Sequence, residues 1–244
     1  MALPFNAIDT GDDDQIVPWA NIALIAANFL VFFYELSVSG GALNKFFLDY
    51  SLVPCEYTHH CAAYAGTPHP FWLTLFSSMF MHAGWAHILG NMLFLFVFGN
   101  HVERSMGHWR YLAFYFLCGL GASALEIATA INSNVPGLGA SGAIAGVLGG
   151  FLVLYPTARI GSLIPIGFIY FPFRIPAWAF IGLWFLYQLV NGAAALNSTA
   201  ASAAGGVAYW AHVGGFITGV LLVRLFSETG RVQQLQASHA RALP

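Results

Sequence analysis

Charge is almost missing from this chain. Of 244 residues only 8 are Lys or Arg and 10 are Asp or Glu, 7 % of the sequence, against about 25 % in an ordinary soluble domain. So few charges cannot cover a water-facing surface, which excludes a soluble globular fold. Eight scattered cations and a formal net charge of −2 build no basic patch, which excludes nucleic acid as a partner. Cysteine is scarce too, and 3 of them exclude a disulfide-rich scaffold. Collagen-like periodicity is absent, and disorder is incompatible with so apolar a chain. In place of charge stand 58 % hydrophobic and 16 % aromatic residues, with a mean hydropathy of +0.70. The composition is that of an integral membrane protein.

The few charges act as punctuation. Charge-free stretches run over 15–34, 57–102, 111–125, 127–158, 160–173 and 175–223, and a helix needs about 20 residues to cross a core about 30 Å thick. They predict an all-α membrane protein, a bundle of six transmembrane helices. The first span covers Pro18 to Tyr34, with Pro18 suited to a first turn, and the second Trp85 to His101. The third covers Tyr111 to Ile131, interrupted only by Glu126. A short fourth runs from Ser141 to Tyr155, stopped by Pro156; the fifth covers Pro176 to Val190 and the sixth Gly205 to Leu225. Thr58–His60, Gly66–Pro70 and Asn197–Ser202 read as polar loops, and Phe71–His82 as an apolar interfacial piece. Ile160–Phe173, broken by Pro165 and Pro172, reads as a membrane-surface loop.

Six spans put both termini on one side. That side carries Arg104, Arg110, Arg159, Arg174, Arg224, Arg231 and Arg241, whereas Lys45 stands alone opposite. A 7-to-1 split of cations predicts cytoplasmic termini, and a bacterial inner membrane is the expected location. The organisation expected is a cytoplasmic tail over 1–16, a membrane domain over 17–226 and a cytoplasmic tail over 227–244. The N-terminus has no basic region and the first apolar run is long, so a cleavable signal peptide is not expected.

Strongly polar side chains inside hydrocarbon cost a few kcal/mol each and need a reason. His87 and Asn91 in the second span, Ser141 opening the fourth and His212 in the sixth stand out. At 1.5 Å per residue, His87 lies about 24 Å and Asn91 about 18 Å from Glu103, His212 about 18 Å from Arg224, and Ser141 about 22 Å from Pro156. Two imidazoles, an amide and a hydroxyl therefore share one level, and His87 and Asn91, four apart, share one helix face. Gly139, Gly142 and Gly146 in the fourth span, with Gly215 and Gly219 in the sixth, read as helix-packing glycines that let two helices approach closely. That approach would bring His212 within reach of Ser141. Taken singly, each feature has a plain explanation: a membrane serine usually bonds its own backbone, and small residues at four-residue spacing usually serve packing. Packing offers no reason for two imidazoles on that plane.

Gly139-Ala140-Ser141-Gly142, the run from His82 to Asn91, and Ala211-His212-Val213-Gly214-Gly215 with Gly219 resemble the motifs of the rhomboid intramembrane serine proteases. Gly99 to Gly107, with Val102-Glu103-Arg104, is similar to the turn after that family's second helix. The resemblance runs from the first span to the sixth. It implies an intramembrane serine endopeptidase with Ser141 as nucleophile and His212 as general base. His87, Asn91 and the Ser141 N–H would form the oxyanion hole. Transmembrane proteins would be the substrates, cut near small residues, and no cofactor or metal is implied. The chemistry suits these residues: a hydroxyl needs an imidazole to take its proton, and the developing oxyanion needs fixed donors. Two positions depart from the pattern of some members. Ala145 stands where an aromatic residue supports the histidine, and Trp72 is followed by Leu73 rather than Arg.

Glu126 lies about 24 Å from Arg110, near the level of the serine. It reads as a protonated or solvated boundary residue, or as a third member of a triad. Cys55 and Cys61 in the outer loop read as a disulfide, or with His59 and His60 as a metal site, although the spacing matches no common zinc pattern. Cys118 reads as an inert core residue. Two rival functions remain: an inactive relative that binds membrane helices, for which Ser141 and His212 together would be superfluous, and a transporter, for which no inverted repeats are found.

Overall fold

The structure, a computed structural model, describes residues 3–6, 17–58, 61, 71–166, 169–197 and 208–241. His59, His60, Gly66–Pro70, the loop from Ser198 and Gly205 at the start of the expected sixth span lie outside them. The described elements in chain order are β1 (Leu3–Asn6), α1 (Trp19–Ser37), α2 (Gly40–Tyr50), α3 (Trp85–Met106), α4 (His108–Thr129), α5 (Ser141–Leu154), β2 (Arg159–Ile166), β3 (Ile169–Pro176), α6 (Ala177–Asn197), α7 (Tyr209–Phe226) and α8 (Thr229–Arg241). Among the described residues, α1, α4, α6 and α7 are long and apolar enough to cross a membrane. Short helical turns over Thr74–Phe80 meet α3 at 96° and make, with it, a fifth candidate. At 14 residues α5 is too short to count by length alone.

The serine helix α5 occupies the middle of the bundle. Every residue from Gly142 to Phe151 is buried, as expected of a helix that is apolar on all sides. Glycine lets α7 lie directly against it: a Cβ on Gly215 would collide with the Gly142 carbonyl, and one on Gly219 with the Gly146 carbonyl. Phe98, Phe114, Phe151 and Tyr115 fill the remaining core below the serine.

Polar clamps hold α1 to α3. The buried Glu103 carboxylate accepts the N–H groups of Ala20 (2.9 Å) and Asn21 (2.7 Å), satisfying two orphan donors of the first turn of α1 and complementing its dipole. Asn21 donates to the Leu95 carbonyl at 3.0 Å. That carbonyl opens a π-helical turn over Leu95–Gly99, where the backbone ladder shifts and a side chain takes up the slack. On the far side of the bundle, Glu228 pairs with Arg110 at 3.0 Å, and Gln236 on α8 donates to the Leu154 carbonyl at 2.7 Å.

Two expectations need correction. The fold is mostly helical but not purely so, since Ile160–Phe173 is not a loop: β2 and β3 pair antiparallel from Arg159↔Pro176 to Ile166↔Ile169, and β1 pairs with β2. The prolines that forbid a helix here tolerate a strand edge. Pro172 lies on the outer strand β3, and Pro165 lies past the point where β1 ends its pairing at Leu163. Second, the first span does not end at Tyr34. Helix α1 continues beyond Tyr34 to Ser37 and buries Glu35, which accepts the His82 N–H at 3.1 Å.

Candidate active site

Ser141 is the first residue of α5 and His212 lies in the first turn of α7. His212 Nε2 stands 2.8 Å from Ser141 Oγ. The contact follows from the packing below it, because the Gly142–Gly215 and Gly146–Gly219 approaches bring the two backbones together just beneath the pair.

His87 and Asn91 come in from α3 and flank the chain just ahead of the serine. A Cβ on Gly139 would lie 2.8 Å from His87 Nε2 and 3.6 Å from Asn91 Nδ2. Gly139 therefore differs from the packing role expected of it. It precedes the helix, carries φ +124°, a region that L side chains rarely adopt, and leaves the room that the two side chains occupy. The Ala83 N–H donates to His87 Nδ1 at 3.4 Å, so the ring proton resides on Nε2, facing Gly139. Asn91 Nδ2 donates one hydrogen to His82 Nε2 at 3.0 Å and keeps a second. Two N–H donors thus stand at Gly139, two residues ahead of a hydroxyl held by an imidazole at the N-terminal end of a helix.

Several contacts escape the reading of the sequence. Gln188 Oε1 lies 2.9 Å from His212 Nδ1, and the Trp184 ring stands 5.8 Å from the His212 ring. Trp184 takes the place left open at Ala145, from a different helix. A signal was present: Gln188 is 12 residues from Pro176, about 18 Å, the same level as Asn91 and His212. His82, which orients Asn91, carries no such mark, because it lies before the helix begins. Glu126 accepts the N–H of Ala211 at 3.1 Å, so it supports the backbone before His212 and does not reach Nδ1, which corrects the triad alternative. Cys55 and Cys61 are bridged, with Cα atoms 5.1 Å apart, ordinary for a disulfide; Cys118 is buried and free. No group of three or more metal-ligating side chains occurs among the described residues.

A family model described as the rhomboid domain matches residues 69–229. Rhomboid protein 1, mitochondrial, of Saccharomyces cerevisiae is 31 % identical over 179 residues, 68 % of this chain and 46 % of that protein. Rhomboid protease GluP of Bacillus subtilis is 33 % identical over 150 residues, 62 % and 27 % of the two chains. Rhomboid-like protein 11, chloroplastic, of Arabidopsis thaliana is 27 % identical over 164 residues, 65 % and 54 %. The aligned part of this chain spans between about a quarter and about half of the length of these relatives.

Proposed function

The chain belongs to the rhomboid family of multi-pass membrane proteins, and from that membership and the Ser141–His212 pair we propose that it is an intramembrane serine endopeptidase. The observation that carries the reading is the 2.8 Å contact between His212 Nε2 and Ser141 Oγ. His212 takes the hydroxyl proton as Ser141 Oγ attacks the scissile carbonyl carbon, then hands that proton to the leaving amine; water completes the hydrolysis by the reverse logic. His87 Nε2–H, the second Asn91 N–H and the Ser141 N–H receive the oxyanion. Among the described residues the partners of His212 are Ser141 and Gln188, with no carboxylate at the pair.

The proposed architecture has six spans, with α3, which carries the π-helical turn, as the second and the short α5 as the fourth. It comprises a tail over 1–16, a membrane domain over 17–226 and a tail over 227–244, both tails cytoplasmic. The arginine asymmetry supports that orientation, and the bacterial relative supports a bacterial cell membrane. The Cys55–Cys61 bridge then lies in the outer loop. Substrates are transmembrane proteins cut where their helices unwind near small residues, because a hydrogen-bonded helix shields its carbonyls.

Purified protein in proteoliposomes should cleave a labelled transmembrane peptide. Ser141→Ala and His212→Ala should each abolish cleavage without loss of folding, and the double variant should be no worse, since nucleophile and base act as a unit. Cleavage at the wild-type rate by either variant would refute the assignment.

A further inference from the structure

We propose that Gln188 is the positioning residue of the catalytic base. Its Oε1 accepts the Nδ1–H of His212 and so holds the imidazole in the one neutral tautomer whose Nε2 can take the Ser141 proton. This rests on the protease reading above. A neutral imidazole has one N–H and one lone pair, so its two contacts are coupled. With a carbonyl oxygen 2.9 Å from Nδ1, the proton stays on Nδ1, and the lone pair on Nε2 faces Ser141 Oγ at 2.8 Å.

The placement of Gln188 supports the role. It is only 4 % exposed in an apolar helix whose neighbouring Leu186, Tyr187 and Val190 face outward. A primary amide in that setting is costly unless bonded, and its recorded bond is to the base. Trp184 lies one turn earlier on the same face of α6 and sets its ring beside His212. One helix face therefore supplies both the acceptor and the ring wall, while Glu126 is occupied at the Ala211 N–H. An amide also suits the location: burying a carboxylate there would carry a desolvation penalty that a neutral acceptor avoids. The amide brings no net charge to the imidazolium, so its contribution is tautomer and orientation. In the reaction the Ser141 proton passes to Nε2 as Oγ bonds the carbonyl carbon, Nδ1 keeps its proton throughout, and Nε2–H then passes to the departing amine.

The test compares wild type, Q188M and Q188E in proteoliposomes with a labelled transmembrane peptide, alongside thermal melts and ¹⁵N spectra of histidine-labelled protein. The His212 signals are assigned by their loss in His212→Ala. Methionine keeps the length and removes the acceptor. We expect Q188M to lose about tenfold in kcat, about 1.4 kcal/mol, at unchanged KM and melting temperature. Loss is smaller than when a donor replaces the acceptor and enforces the wrong tautomer, where it reaches about 10⁴-fold. Glutamate restores an acceptor, so Q188E should recover most of the loss. The His212 Nδ1 resonance should shift toward the unprotonated position in Q188M alone. Wild-type kcat in Q188M, equal loss in Q188M and Q188E, or an unaltered Nδ1 resonance would each overturn the proposal while the protease reading stands. A wild type that cleaves no better than Ser141→Ala removes the protease reading itself, and this proposal with it.

Discussion

Gly215→Ala adds one methyl group where α7 crosses α5. That methyl would collide with the Gly142 carbonyl oxygen and lie 2.9 Å from its carbon. Ordinary carbon contacts need about 3.5–4.0 Å, so the helices must part by roughly 0.6–1.1 Å on the carbon contact alone. The contacted atoms cannot yield, since they are backbone of the buried helix α5. Overpacking of this kind costs about 1–3 kcal/mol of stability. The larger effect falls on the reaction. His212 sits one turn before Gly215 and Ser141 next to Gly142, so the separation opens the 2.8 Å contact directly, and about 1 Å of misplacement costs about 10²-fold in rate. Gly182→Ala is the internal control, because nothing lies within 4 Å of a Cβ there and alanine favours helix. Proteoliposome cleavage rates and melting curves would be taken for both. We expect a loss near 10²-fold for Gly215→Ala and none for Gly182→Ala. Full activity in Gly215→Ala would refute the reasoning that backbone contact sets the dyad distance.

Asn91→Ala should lower kcat about 10²-fold, about 2.7 kcal/mol, with little change in KM; His87→Ala should behave alike and the double variant should lose more, as steady-state kinetics will show. Glu103→Ala leaves the Ala20 and Asn21 N–H groups without their acceptor, so a melt should show a loss of about 1–3 kcal/mol, while the cleavage rate per folded molecule stays. In the short helical turn Pro54–Tyr57, between the spans, burial pushes the Glu56 carboxyl above its ordinary range. Its folded form binds a proton more tightly than its unfolded form, so its ionisation destabilises the fold as pH rises. Glu56→Gln should therefore raise the melting temperature at pH 8 and not at pH 4.

What could be read from the sequence is what repeats with helix geometry. Residue counting alone puts Ser141, His212, His87 and Asn91 at one level, and the glycine spacing points to the α5–α7 approach. The same counting reaches Gln188, but a lone glutamine in an apolar run looks like a tolerated polar residue. The β2–β3 hairpin was illegible for another reason: prolines argue against a helix, but a strand is specified by its partner, and β1 supplies one from the opposite end of the chain. Spacing alone also does not distinguish a glycine inside a helix, such as Gly142, from one just ahead of it, such as Gly139. Clamps such as Glu35 on the His82 N–H join segments 47 residues apart, and no local pattern encodes them.

The central position of α5 also separates two things that a membrane enzyme usually experiences together. Large apolar side chains of α1, α4, α6 and α7 are exposed, as at Leu30, Leu117, Leu183 and Leu221, but the serine helix is buried from Gly142 to Phe151. Bilayer thickness and composition then act on how a substrate helix arrives, not on how the serine meets the histidine. A change of lipid should appear in apparent KM, with kcat nearly constant, so that the membrane works as a gatekeeper of encounter while the reaction proceeds in surroundings made entirely by the chain.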